Sequence, residues 1–222
     1  MRRLLFPLIL GVAGTAALVA LGLWQLARLD QKEEMIARID AAIAADPVPL
    51  PAASEDYLAV AATGRVVGPV IRFVYSAEAE MAVAVLEAGE RRVMIDLGLV
   101  PVRTDLPLPE GEVAVTGNLE SPEGNGSPVR LDQPNARPAR DLEGMAQALG
   151  TEPILLVVRE MDPPLPGATP LPVGSDGIPN NHLGYAIQWF GMALVWAVMS
   201  VFLILRARRP DPGVARDTEE PT

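Results

Sequence analysis

The chain of 222 residues contains no cysteine and only one histidine, and these two shortages exclude several kinds of chemistry. Without cysteine there is no disulfide, no thiolate nucleophile and no four-cysteine zinc or iron–sulfur site. A serine–histidine–aspartate triad would have to use His182, which borders a long apolar run. The sequence also has neither a P-loop nor a dinucleotide-binding glycine fingerprint. We therefore predict that the protein is not an enzyme.

Positive charge is scarce in the middle of the chain. Residues 28–182 hold 24 Asp and Glu against 12 Lys and Arg, a net charge of −12. Because proteins bind nucleic acid through clustered Lys and Arg, this balance predicts no nucleic-acid partner.

Apolar sequence is abundant and lies in two charge-free runs, residues 4–27 and 183–205. At about 1.5 Å per residue each run is roughly 35 Å long as a helix, enough to cross a hydrocarbon core of about 30 Å. The first run is longer than the apolar core of a cleaved signal peptide, which is roughly 7–15 residues. We interpret both runs as transmembrane helices, so membrane lipid is a predicted contact.

Arginines at the ends of these runs predict the orientation. Arg2 and Arg3 precede the first run, and Arg206, Arg208 and Arg209 follow the second. Since Lys and Arg favour the cytoplasmic side, we expect both termini to be cytoplasmic. With its two apolar runs, the chain is predicted to be a multi-pass protein of the inner (plasma) membrane. The predicted parts are a cytoplasmic N-terminus (1–3), helix 1 (4–27), a periplasmic domain (28–182), helix 2 (183–205) and a cytoplasmic tail (206–222), disordered after Arg209.

The predicted periplasmic domain, residues 28–182, consists mostly of segments rich in Val, Ile and Ala and separated by Gly or Pro, a pattern that predicts strands. The first transmembrane helix should continue to about Ala45, where a Pro-rich segment stops it. The predicted strands are 57–67, 70–75, 81–87, 92–100, 112–119 and 154–160, with a hairpin turn at 88–90 and a helix at 141–149. The fold class is therefore α+β, with two transmembrane helices flanking an antiparallel sheet or small barrel. We expect one cluster of carboxylates in this part, Glu78, Glu80, Glu87 and Glu90, to form a solvated edge.

His182 stands at the entrance of the second run, directly after Asn180 and Asn181. One interpretation is a boundary residue beside asparagines that cap the helix. The other is an axial haem ligand, since imidazole binds haem iron. At helical spacing His182, either Tyr185 or Ala186, and Trp189 share a face, and antiparallel packing of the two helices would bring Trp24 and Gln25 to the same depth.

Four segments resemble the Surfeit locus protein 1 family of cytochrome c oxidase assembly factors. The first is Gly22-x-Trp24-Gln25-x-x-Arg28-x-x-x-Lys32. The second is Asn180-Asn181-His182-Leu183-x-Tyr185-Ala186-x-x-Trp189-Phe190-Gly191-x-Ala193. A shorter element is Arg140-Asp141-Leu142-x-x-Met145-Ala146-x-x-Leu149-Gly150, and residues 57–64 are similar to the first strand of the family.

The resemblance implies a role in respiratory chain biogenesis, namely handling haem a and aiding its insertion into the catalytic subunit of haem–copper cytochrome c oxidase. That subunit and haem a synthase are the implied partners. His182 is the implied contact with the haem iron, flanked by Trp24, Gln25, Tyr185 and Trp189, and Arg28 could pair with a haem propionate. The alternative is a membrane-anchored scaffold that binds oxidase subunits without binding haem.

The chain departs from the family pattern in its exported part. The family carries Arg-Gly-Trp before Val-Pro at the end of a central strand, whereas this chain has Leu97-Gly98-Leu99 before Val100-Pro101. Only the glycine and the Val-Pro pair remain there.

Overall fold

A computed structural model describes residues 2–125, 127–136 and 140–208, with the backbone alone for residues 2–4. The contacts divide the chain into two compact units. One, the helical unit, contains residues up to Ile36 and from Ile178 onward, and the other, the β unit, is Ala37–Gly177. The tail predicted to be disordered after Arg209 lies outside the described residues.

Both apolar runs form helices. Helix α1 is Arg2–Ile43, and a second helix, called α3 by its place in the chain, is His182–Ala207. In the described part of the chain these are the two helices long and apolar enough to cross a membrane, so the protein has two spans. Helix α1 ends two residues before the predicted Ala45, where Arg159 Nη1 and Asn118 Nδ2 donate to the carbonyl oxygen of Ile43 at 3.0 and 3.2 Å. These donors satisfy a carbonyl that the helix end leaves without an intrahelical partner.

The β unit is a six-stranded sheet that closes on itself. Its strands are β1 (Val48–Pro49), β2 (Ala59–Val74), β3 (Ala79–Ala88), β4 (Arg91–Pro101), β5 (Glu112–Leu119) and β6 (Leu155–Asp162). The order is β1-β2-β3-β4-β6-β5, and an additional β2–β5 pairing closes the barrel. All pairs are antiparallel except β1–β2 and β4–β6. The fold is therefore the predicted two-span α+β membrane protein with a β-barrel domain.

The strand predictions missed the two-residue strand β1 and were wrong at one further position. The structure joins the predicted strands 57–67 and 70–75 into the single strand β2, with a register shift between Val67 and Ile71. A bulge accommodates Gly68-Pro69 because proline has no N–H to donate to a ladder. The predicted turn at 88–90 is confirmed by the pairing of Ala88 with Arg91 and by the positive φ of Gly89, +64°.

Buried side chains lie on both faces of the sheet. The barrel interior is filled by aliphatic residues such as Val60, Leu86, Ile95 and Leu156. On the outer face, helix α2 (Leu142–Leu149) packs its buried Met145 and Leu149 into a second core with Phe73 and Met94. Asp141 caps the start of α2 by accepting from the N–H of Gly144, and Gly150 ends it in the left-handed conformation. Burial on both faces explains why β3 and β4 are almost continuously apolar.

Candidate functional site between the two apolar helices

Within the helical unit α1 and α3 pack antiparallel through glycines of α1. A Cβ atom added to Gly11 would lie 2.8 Å from Ser200, one added to Gly14 would lie 2.3 Å from the Trp196 ring, and one added to Gly22 would lie 2.6 Å from the Phe190 ring. Small residues let helix backbones approach closely in a membrane, where helix association depends on packing. Packing of these side chains onto glycines therefore sets the register of the two helices.

This register brings Gln25 and His182 together. The Nδ1–H of His182 donates to Oε1 of Gln25 at 2.8 Å, across 157 positions of sequence. Gln25 is 9% exposed, so the bond lies on the buried side of α1. With the amide oxygen as its partner, Nδ1 carries the ring proton of the neutral imidazole. The lone pair of Nε2 is then available to a metal ion, and the bond fixes the ring orientation as the outer partners of metal-binding histidines do.

The other predicted site residues do not join this bond. Trp24 is 52% exposed, and the guanidinium of Arg28 lies 5.8 Å from the centroid of its indole ring. Arg28 also donates to Gln31 at 3.1 Å, so its contacts are local to α1. Tyr185 is 51% exposed, whereas Trp189 is half-buried. Of the six predicted residues, the structure joins two by a direct bond.

The asparagines before α3 do not cap it with their side chains. Asn181 occupies the N-cap position but makes no side-chain capping hydrogen bond, and the amide N–H of Tyr185 donates to its backbone carbonyl. Oδ1 of Asn180 is buried without a hydrogen-bond partner among the described residues. The interpretation of these side chains as helix caps was therefore wrong, and the hydrogen bond to Gln25 is what holds His182.

The β unit contains a buried ion pair that the sequence reading missed. Arg140 donates to the carboxylate of Asp96 at 2.9 Å, and the two side chains are 6% and 1% exposed. Arg140 also lies 3.4 Å from Glu120 and 5.9 Å from the centroid of the Phe73 ring. One available signal was Asp96 itself, a lone charge within the apolar sequence of β4. Asp96, Glu120 and Arg140 line a cavity of about 300 Å³.

The predicted solvated edge was wrong for one of its four carboxylates. Glu80 is buried and accepts a hydrogen bond from Arg72 at 3.0 Å. Near the other end of β3, Glu87 fits the prediction better, because its ion pairs to Arg65 and Arg92 are partly exposed. The antiparallel β2–β3 pairing carries Arg72 next to Glu80, and a buried carboxylate needs such a partner.

Gly98, the glycine that is kept where the chain departs from the family pattern, is required by the local structure. Gly98 has φ of +88°, and an added Cβ atom would lie 2.2 Å from the backbone oxygen of Thr169. Its N–H donates to Oδ1 of Asp96 at 2.9 Å. The next residue, Leu99, exchanges two backbone hydrogen bonds with Thr169, each 2.8 Å long. Only glycine fits this close approach without strain.

Comparison with known proteins agrees with this architecture. The chain matches the SURF1 family over residues 12–194. It is 30% identical over 216 residues to a SURF1-like protein of Monosiga brevicollis, covering 82% of each chain. It is also 27% identical to Surfeit locus protein 1 of Homo sapiens over 234 residues, covering 87% of this chain and 75% of the human protein. The matched region runs from α1 through the barrel to the middle of α3 and includes both Gln25 and His182, so the chain belongs to the SURF1 family.

Proposed function

We propose that this protein is an assembly factor for haem–copper cytochrome c oxidase that handles haem a and aids its insertion into the catalytic subunit. Membership of the SURF1 family supports the role in oxidase assembly. The observation that carries the haem proposal is the hydrogen bond between His182 and Gln25, because it leaves Nε2 of the sole histidine as a possible iron ligand.

The residues present fit haem as a cargo. Neutral imidazole is an axial ligand of haem iron, and the bond to Gln25 holds Nδ1 protonated and orients the ring. The half-buried Trp189, two turns along α3 from His182, is the residue best placed to flank the haem macrocycle. Trp24 and Tyr185 stay predicted flanking residues, and Arg28 stays the predicted partner of a propionate. A single histidine supplies one axial position, and such incomplete ligation suits a protein that must release its cargo.

We place the protein in the inner membrane with residues 28–182 in the periplasm. Arg206 and Arg208 at the end of α3 support cytoplasmic termini. Alkaline phosphatase fused after Gly124 should be active, and an inactive fusion that accumulates normally contradicts this orientation. The catalytic subunit and haem a synthase are the proposed partners, and the protein acts without catalysing a reaction.

A second candidate function is a membrane-anchored scaffold that binds oxidase subunits without binding haem. The observation that favours it is the exposure of Trp24, Arg28 and Tyr185, none of which is hydrogen-bonded to His182. In that case the bond between Gln25 and His182 serves only to hold α1 against α3.

The two functions are separated by purifying the full chain from cells that synthesise haem a. We expect His182→Ala to lose or shift the Soret band while the protein still accumulates in the membrane. Gln25→Leu should weaken and shift the Soret band, because it removes the hydrogen bond that keeps Nδ1 of His182 protonated and holds the orientation of its ring. Asn181→Ala is the matched control, since its side chain makes no capping bond, and it should keep the parental spectrum.

Oxidase assembly is measured in a deletion strain that carries each variant. The parent chain should restore haem-containing oxidase, and His182→Ala should restore much less. Normal oxidase activity in the deletion strain, with no second copy of the gene, contradicts the assembly role. A full restoration by His182→Ala, together with a parental protein that carries no haem, supports the scaffold instead.

A further inference from the structure

The cavity beside the buried ion pair of the β unit takes no part in the proposed function. Its volume of about 300 Å³ is near the lower end of the range for small-molecule sites, and all of its lining residues belong to the β unit. Its apolar wall is formed by Met81, Leu119, Val157, Leu171 and Val173. Such a wall can hold an aliphatic chain, so the polar groups of the cavity decide which ligand it takes.

The positive charge of the cavity is already paired. Arg140 is the one cationic side chain among the described lining residues. It donates to Asp96 at 2.9 Å and lies 3.4 Å from Glu120, and its guanidinium is 5.9 Å from the centroid of the Phe73 ring. Because Arg140 is 6% exposed, an anionic ligand would have to displace a carboxylate to reach it. The cavity is therefore a poor site for an anion.

Negative charge is in excess at the rim of the cavity. The carboxylate of Asp56 is exposed and has no hydrogen bond or ion pair to any described residue. Glu120 is 38% exposed, and its ion pair to Arg140 is the longer of the two that this arginine makes. Together with Asp96, the described lining residues carry three carboxylates against one guanidinium, a net charge of −2. This excess favours a cationic ligand.

Pairing between β2 and β5 brings the two rim carboxylates together. The N–H of Tyr57 donates to the carbonyl oxygen of Leu119 at 2.9 Å, so the adjacent residues Asp56 and Glu120 lie at the same rim. Tyr57 has φ of +68°, a strained conformation for a bulky residue, and Nδ2 of Asn118 holds its carbonyl oxygen at 3.0 Å. Like charges that face each other across a strand pair are unfavourable, and a bound cation removes this repulsion.

We propose that this cavity binds an alkylammonium group, the head of a lysine side chain or of a free aliphatic amine. The methylene stem lies against the apolar wall, and the ammonium lies between Asp56 and Glu120. An ammonium has three N–H donors, enough for both carboxylates, and the ring of Tyr57 adds a cation–π contact. A metal ion fits less well, because no group of three or more His, Asp and Glu in the described part of the chain is arranged to hold one.

Saturation-transfer NMR on the full chain in detergent, with empty micelles as background, tests the ligand chemistry. The probes are Nα-acetyl-lysine methylamide, cadaverine and Nα-acetyl-norleucine methylamide, which has the lysine stem without the ammonium. We expect the first two to bind and the norleucine probe to bind at least tenfold more weakly. Tighter binding of the blocked lysine identifies a side chain of another protein as the ligand, whereas tighter binding of cadaverine identifies a free amine.

Variants of the rim test the position of the site. Asp56→Asn and Glu120→Gln should each weaken binding of the amine at least threefold, and the double variant at least tenfold. Glu90→Gln is the matched control, because that carboxylate is exposed at the β3–β4 turn, at the other end of β3 from Met81, and it should leave the affinity unchanged. The unfolding midpoint in urea shows that each variant is folded.

Three results overturn the proposal. They are no saturation transfer to either amine, equal binding of the norleucine probe, and parental affinity in the folded double variant. None of these results depends on whether the protein binds haem or assembles an oxidase.

Discussion

The buried ion pair between Asp96 and Arg140 allows a quantitative test of the β unit. Their side chains are 1% and 6% exposed, and Arg140 bridges to Glu120 as well. Removing one member, as in Asp96→Leu or Arg140→Met, deprives the other buried charge of its closest ion-pair partner, which costs about 3–5 kcal/mol of unfolding free energy. Removing both in the double variant leaves neither charge.

The cost of the double variant follows from what remains. Gly98 loses its acceptor, since its N–H donates to Asp96 in the parent. A buried donor left unsatisfied costs about 1–3 kcal/mol. We therefore expect the double variant to be more stable than either single variant, although the two single costs add to about 6–10 kcal/mol.

Pulse proteolysis in urea of the full chain in detergent measures this difference. For a domain of this size the urea dependence is about 2 kcal/mol per molar, so a single variant should lower the unfolding midpoint by about 1.5–2.5 M. Asp132→Asn is the control, because that carboxylate is exposed and should leave the midpoint unchanged. The reasoning is refuted if the single variants lie within about 0.5 kcal/mol of the parent, or if the double variant loses the sum of both.

Two further predictions concern the β unit. In the same urea assay Gly98→Ala should lower the free energy of unfolding more than Gly89→Ala does. Both glycines have positive φ, but only at Gly98 does the new Cβ atom collide with the backbone. Equal unfolding midpoints for the two variants would contradict this prediction. The hydrogen bond from Arg91 lowers the pKa of Glu152, with their opposite charges adding to the effect and burial opposing it. Because the folded pKa is the lower one, the stabilisation is present above the unfolded value of about 4.3 and is lost as the pH falls through the folded value. The difference in free energy of unfolding between the parent and Glu152→Gln should therefore narrow below about pH 4. A difference that grows in acid would contradict this prediction.

Local sequence signals predicted elements well where a single rule governed them. Strand β5 was predicted with its observed bounds, and Gly150 was predicted as the end of α2. The prediction was wrong where a local signal met a tertiary alternative. Gly68-Pro69 predicts a strand break, whereas in the structure β2 continues through it with a shift in register. Asn181 reads as a cap, yet its side chain makes no capping bond.

The sequence by itself determined the two spans, the β-rich domain between them and the family. Each follows from order along the chain: uninterrupted apolar length, alternation with turn residues, and motifs of fixed spacing. The importance of His182 was also visible, because a lone imidazole next to an apolar run has few possible roles.

Only the tertiary structure decided which residues meet. The partner of His182 is Gln25, 157 positions away, because packing of Phe190, Trp196 and Ser200 onto the glycines of α1 sets the helix register. Asp96 and Arg140 are 44 positions apart and meet where the chain returns to the barrel before α2. Periodicity gives the face on which a side chain lies, whereas a bond of 2.8 or 2.9 Å depends on how two distant segments pack, and no local pattern encodes that.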